Sequence, residues 1–137
     1  MSPAHIRATL RRLVKLRAGD RCEYCLLAEG DAFFPHEPDH IIALKHRGET
    51  IAENLALACF DCNRFKGSDI ASVDPLTGQV VPLFDPRSQV WSDHFATEGA
   101  RIVGLTPVGR ATEQLLRLNL PERLEIRGTL ASSGRFP

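Results

Sequence analysis

Apolar and polar positions follow several rhythms along this chain, and each rhythm predicts an element. Ile6, Leu10, Leu13 and Val14 fall at i, i+4, i+7 and i+8 with arginines between them, so residues 4–18 read as an amphipathic helix that Gly19 ends. Residues 32–41 read as a strand, irregular or at a sheet edge, because Pro35 and Pro38 cannot donate to a ladder. Arg47 to Thr50 is a turn, Leu55 to Ala58 is a short apolar run, and Asn63 to Lys66 opens a helix limited by Gly67. After a second turn at Asp74 to Gly78 the pattern becomes strand-like over Val80 to Phe84, Gln89 to Phe95, and Arg101 to Leu105. Residues 110–118 place Ala111, Leu115, Leu116 and Leu118 on a helix, and the tail after Arg127, rich in Gly and Ser, reads as loose.

Length changes this picture little: 137 residues make one domain with a modest core. Within it, residues 1–70 hold the chemistry-bearing residues and 71–137 read as an extension packed on them. The 43% hydrophobic and 25% charged content is that of a soluble globular protein. No apolar run spans a bilayer and no export signal is evident, so the expectation is a cytoplasmic protein with no membrane partner.

Net charge is zero, yet its distribution is uneven. Arg7, Arg11, Arg12, Lys15, Arg17 and Arg21 stand against Asp20 in residues 1–21, whereas residues 22–62 carry eight acids against Lys45 and Arg47. A basic arm beside an acidic centre suits phosphodiester chemistry; a solvated helix face is the plainer explanation.

Cysteine spacing narrows the chemistry most. Cys22/Cys25 and Cys59/Cys62 form two C-x-x-C pairs, and two intervening residues let both sulfurs of a pair turn toward one tetrahedral ion. Two pairs make a closed four-cysteine Zn2+ site of the structural kind. In a reducing compartment, metal is favoured over disulfides, and a redox role lacks the βαβ pattern it usually accompanies. The 33 residues between the pairs enclose Glu37-Pro38-Asp39-His40-Ile41-Ile42 and Asn54-Leu55, so the clasp surrounds an acid–histidine step.

Together Cys22-x-x-Cys25, Glu37-x-Asp39-His40-Ile41-Ile42, Asn54-Leu55 and Cys59-x-x-Cys62-Asn63-x-x-Lys66 resemble the HNH endonuclease family in its zinc-knuckle form, over about residues 20–67. The resemblance implies an α+β fold: a ββα-metal (His-Me finger) core with a basic N-terminal helix and a C-terminal strand-plus-helix extension. It also implies cleavage of DNA with one divalent cation. His40 then serves as general base, since imidazole accepts a proton at neutral pH. Asp39 supplies a hard oxygen to the cation, and Asn54 positions the loop and helps hold the His40 ring. Asn63 stands where the family's last histidine falls. Its amide oxygen is a harder donor than imidazole, which favours Mg2+ or Mn2+ over Ni2+ or Zn2+.

Lys66 and Arg64 are expected to meet phosphates from the following helix, and Arg11, Arg12 and Lys15 from the N-terminal one. Glu37 reads as a surface acid, His36 and His46 as exposed loop histidines, and His94 as a packing or rim residue. Arg101, Arg110, Arg117, Arg123 and Arg127 would add phosphate contacts, or their half of the chain would form a dimer surface. Two other functions compete. One is a zinc-stabilised module that binds nucleic acid without turnover; the other is a purely structural or protein-interaction zinc domain. DNA is the expected partner, with a homodimer or larger nuclease complex as further assembly.

Overall fold

The computed structural model describes residues 5–137, so Ala4, at the start of the predicted first helix, lies outside the described residues. The first helix, α1 (Ala8–Ala18), ends where Gly19 adopts a left-handed conformation. Ile6 and Val14 bury beside Leu55 and Leu57, and Leu10 packs against them. Leu13 departs from the predicted stripe and is 46% exposed, which narrows the buried face to the i, i+4, i+8 line.

Strand β1 (Glu37–His40) pairs antiparallel with β2 (Leu55–Ala58), setting Glu37 opposite Ala58 and His40 opposite Leu55. The predicted strand from residue 32 is therefore shorter. Phe33 and Phe34 lie in bends before it, and Pro38 sits within it. All four β2 residues are buried, which explains their unbroken apolar run. Helix α2 (Phe60–Lys66) follows at once and begins one turn earlier than the sequence indicates. Cys59 is its N-cap: the Sγ accepts from the Cys62 N–H at 3.4 Å, a role usually filled by Ser, Asp or Asn. Gly67 then turns the chain out of the helix at φ 53°. β1, β2 and α2 form a ββα unit in an α+β protein.

Two further hairpins follow: β3 (Ala71–Val73) with β4 (Val80–Pro82), and β5 (Phe95–Glu98) with β6 (Arg101–Gly104). The predicted strand from Gln89 is instead a short helix, α3 (Trp91–His94), pinned because the Trp91 indole donates to the Tyr24 carbonyl at 2.9 Å. Helix α4 (Pro107–Leu115) starts at a Thr106 cap, earlier than residue 110. Helix α5 (Pro121–Ser132) runs into the tail predicted to be loose after Arg127, and Leu130 and Phe136 in that tail are buried.

One apolar cluster joins Cys22, Tyr24 and Ala58 to Phe84, Phe95, Ile102, Leu116, Leu118 and Leu130, so both halves of the chain share a core. Asp74 fastens the second half. Its buried carboxylate accepts two bonds from Arg110, at 2.9 and 3.0 Å, and others from Leu76 N and the Thr77 hydroxyl. Arg110, expected at a phosphate or on a dimer surface, is thereby committed to the buried Asp74.

Candidate metal and catalytic site

The four cysteines converge. Their Sγ atoms all lie within 4.8 Å of one another and every residue of the set is buried. Cys25 and Cys59 Sγ are 3.6 Å apart, close to the ~3.8 Å edge of a tetrahedron with Zn–S bonds of about 2.3 Å. Within each pair the second cysteine's N–H points at the first sulfur, at 3.5 Å for Cys25 and 3.4 Å for Cys62. Burial pushes the Cys22 and Cys62 thiols up, whereas hydrogen bonds from Cys22, Cys59 and Cys62 hold Cys25 down. Four thiolates packed this closely repel one another, and a divalent cation makes their charges compatible. The donor set fits structural Zn2+.

One partner of the sulfurs comes from far along the chain. Arg123 on α5 is buried and directs Nη2 to Cys62 Sγ at 3.1 Å and to Cys59 Sγ at 3.7 Å; its Nη1 donates to the Leu116 and Arg117 carbonyls. The expected phosphate role of Arg123 gives way to this buried one. Arg127, one turn on, donates to the carbonyls of Ala100 and Leu118 and is likewise no surface cation. Sequence reasoning missed both, although Arg123, Arg127 and Leu130 recur at i, i+4 and i+7.

The acid–histidine step occupies the end of β1. Asp39 is buried against α2, with Oδ2 3.1 Å from Lys66 Nζ. Lys66 is 2% exposed and donates to the His40 and Ile41 carbonyls at 3.0 and 3.3 Å. The expectation that Lys66 meets phosphate is therefore corrected: as the last residue of α2 it points inward and ties the helix to β1. Burial pushes the Asp39 carboxyl up while Lys66 opposes it, and Oδ2 accepts no well-directed hydrogen bond. Asn63 lies one turn before Lys66 on the same helix, and its side chain makes no hydrogen bond among the described residues. The under-satisfied Asp39 oxygen is of the kind a hard divalent cation takes, and Asn63 lies on the helix that packs against β1.

His40 is half-buried at the strand end. Its Nε2 lies 2.9 Å from the Thr50 hydroxyl, a partner the sequence did not single out. Burial lowers the His40 pKa below its ordinary value, and the Lys66 charge lowers it further. Asn54 makes no hydrogen bond to the ring. Its Oδ1 accepts from Ile42 N at 2.9 Å, and its Nδ2 donates to the carbonyls of Ile42 and Glu49 at 3.0 and 2.8 Å. Asn54 thus laces shut the loop that carries Thr50, the hydrogen-bond partner of His40. Gly48 is required there, because a Cβ would meet the Ile42 carbonyl oxygen at 1.7 Å.

The basic residues are more occupied than their sequence run indicates. Arg11 pairs with Glu37 at 2.7 Å, Lys15 with Glu29 at 2.5 Å, and Arg17 donates to the Ala52 and Leu55 carbonyls. Arg12 and Arg64 are exposed, and Arg64 pairs with Asp61 at 3.2 Å. His36, expected in solvent, is 2% exposed with Nε2 on the Leu27 carbonyl, whereas His46 is exposed. His94 bonds the Thr106 hydroxyl. No helix among the described residues is long and apolar enough to cross a membrane.

Comparison with known families gives one result. Residues 22–69 match the model of the HNH endonuclease family, a span that begins at Cys22 and ends just beyond Lys66. Neither the curated proteins nor the solved structures yield a match.

Proposed function

We propose, from the premise that residues 22–69 carry an HNH endonuclease domain, that this protein is a metal-dependent endonuclease hydrolysing DNA phosphodiester bonds. The observation that carries the reading is His40 at the end of β1, its Nε2 anchored on Thr50, next in the chain to buried Asp39, whose Oδ2 accepts no well-directed hydrogen bond.

In this reading Nε2 of His40 keeps its proton and donates it to the Thr50 hydroxyl, so Nδ1 is the basic nitrogen. Burial holds the imidazole neutral at pH 7, the state a general base requires. Nδ1 takes a proton from a water molecule as that water's oxygen bonds to phosphorus, the 3′ or 5′ P–O ester bond breaks, and the leaving sugar oxygen takes a proton from solvent. Asp39 and Asn63 would hold the catalytic cation, expected to be Mg2+ or Mn2+. Such an ion neutralises charge on the phosphoryl oxygens and acidifies bound water. Lys66 opposes the charge of Asp39 and fixes the carbonyl end of β1, so the donor pair keeps its place without a phosphate contact. The four-cysteine Zn2+ site caps the same helix at its N-terminus through Cys59 and serves structure. Exposed Arg12 and Arg64 remain as phosphate contacts.

Plasmid nicking by wild type beside His40→Ala, with Mg2+, Mn2+ and Ni2+ each added to zinc-loaded protein, tests this. Metal-dependent nicking lost in His40→Ala supports the reading. Folded protein that binds DNA yet nicks with none of these ions makes it a non-catalytic binding module, and best activity with Ni2+ contradicts the preference argued from Asn63.

A further inference from the structure

A groove runs between α1 and residues 50–53. It consists of two adjoining hollows of about 370 and 710 Å³ that share Thr9, Leu13 and Ala52 in their walls. Its floor is aliphatic. Leu13 is 46% exposed, Leu16 74% and Ile51 40%, although Leu10 and Val14 of the same helix pack inward. Nothing in the core explains why these side chains stay in water, where each sacrifices burial free energy.

The rim is cationic. Arg7 lines the first hollow, Arg12 and Arg17 line the second, and Glu53 is the one acid in either. All three arginines are exposed, and none pairs with a carboxylate among the described residues. Arg17 donates to the Ala52 and Leu55 carbonyls, which leaves its charge uncancelled. Such a groove fits a polyanion that also carries apolar surface. Paired DNA keeps its base faces stacked inside and shows a groove only sugars and phosphates. An unpaired strand offers both, with base faces for the leucines and phosphates for the arginines.

Position links this groove to the proposed chemistry. Thr50, whose hydroxyl holds Nε2 of His40, lines the first hollow. The strand register sets His40 opposite Leu55, so its side chain shares the sheet face that Leu55 and Leu57 present to α1. An acidic protein segment seated here would lie across the loop that holds His40 and obstruct its substrate. A DNA strand that reaches His40 must leave along some surface, and this cationic one begins there. From Arg7 to Arg17 the helix rises about 15 Å, the length of roughly four nucleotides at ~3.4 Å each.

We propose that the groove between α1 and residues 50–53 binds an unpaired DNA strand that continues from the phosphate at His40, so that the substrate class is DNA with a single-stranded tail or branch. This rests on the endonuclease reading above, and its test separates the two. Zinc-loaded protein without other divalent ions is titrated with a labelled blunt duplex and with the same duplex carrying a 5′ or a 3′ tail of about six nucleotides. Wild type should bind one of the tailed duplexes about 10-fold or more tighter than the blunt one. Leu16→Ser should remove about 3- to 10-fold of that preference without changing the salt dependence or the affinity for blunt duplex. Leu16→Met should retain it. Arg7→Ala and Arg12→Ala should each flatten the log–log salt slope of the tailed complex by about 0.7, the share of one single-strand phosphate. All of these side chains are exposed, and circular dichroism checks that the variants stay folded. Equal wild-type affinity for blunt and tailed duplexes overturns the proposal. So does a Leu16→Ser variant that keeps the full preference or alters only self-association in sedimentation. His40-dependent nicking of plasmid would then still stand for the nuclease. A tail preference lost in these variants, from protein that nicks with no ion, would keep the groove and remove the nuclease.

Discussion

Arg123 donates to the Sγ of Cys62 across 3.1 Å although 61 residues separate them in the chain. The four clustered cysteines lie within the span that matches the HNH family, while this guanidinium lies outside it, on α5. The same group holds the Leu116 and Arg117 carbonyls at the end of α4, so one side chain binds the metal site to the second half of the core. Helix α5 is therefore a wall of the four-cysteine site.

Arg123→Met keeps the aliphatic stem and removes every donor. It should speed loss of Zn2+ to a competing chelator by about 10- to 100-fold, the usual effect of losing a partner behind a metal ligand. Hydrogen exchange in α5 should rise in parallel. Lysine should not restore zinc retention, because one ammonium cannot serve both sulfurs and both carbonyls. Unchanged release kinetics would show that the N–H···S contacts carry no energy.

The Asp39–Lys66 pair gives a second expectation. Both side chains are less than a tenth exposed, so removing one partner strands a buried charge. Lys66→Met should destabilise the protein by about 3–5 kcal/mol in urea unfolding without added divalent metal. A Lys66→Met, Asp39→Leu double variant should recover much of that loss. If the single variant is as stable as wild type, the pair is not buried in solution.

The sequence made the clasp legible because tetrahedral coordination imposes a spacing that survives any fold. The β2 run was legible because full burial leaves an unbroken apolar signature, whereas Asp39 and His40 were legible through the resemblance of their motif to the HNH family. The start of α2 was not, since Cys59 caps it with sulfur and carries none of the usual capping chemistry. Strand formation over 89–95 failed because Trp91 is held by a contact to Tyr24, 67 residues away. Helix α5 escaped notice because two arginines occupy its buried face, and charge ordinarily marks the solvent side. Thr50 carries no signal of its own; the loop that Asn54 and Gly48 close decides its role.

Asp74 should set the acid limit of the extension. Hydrogen bonds from Arg110, Leu76 and Thr77 hold its carboxyl well below the usual carboxylate range. A depressed folded-state pKa adds stability that is complete above the unfolded value of about 3.9 and is lost as pH falls through the folded value. Asp74→Asn should lower Tm at pH 7, and the gap from wild type should shrink steadily below about pH 4. A gap independent of pH would mean that the Arg110 fork contributes nothing through charge.

The last expectation concerns the proton. If His40 is the base, cleavage requires its neutral form, so the rate should rise with pH and level off. Burial and Lys66 lower the His40 pKa, which places the midpoint of that rise below the ordinary histidine value of about 6.5. His40→Ala should lose about 10²- to 10⁴-fold in rate and abolish the rise. Thr50→Val is nearly isosteric and removes only the hydroxyl on Nε2. It should cost about 10- to 100-fold through misplacement of the ring while leaving Tm close to wild type. The midpoint of its pH profile should also move, an effect that a purely structural role for Thr50 would not produce. A Thr50→Val enzyme with wild-type rate and pH profile would mean that the ring is oriented by something other than this hydrogen bond, and Nδ1 would lose its assignment as the basic nitrogen.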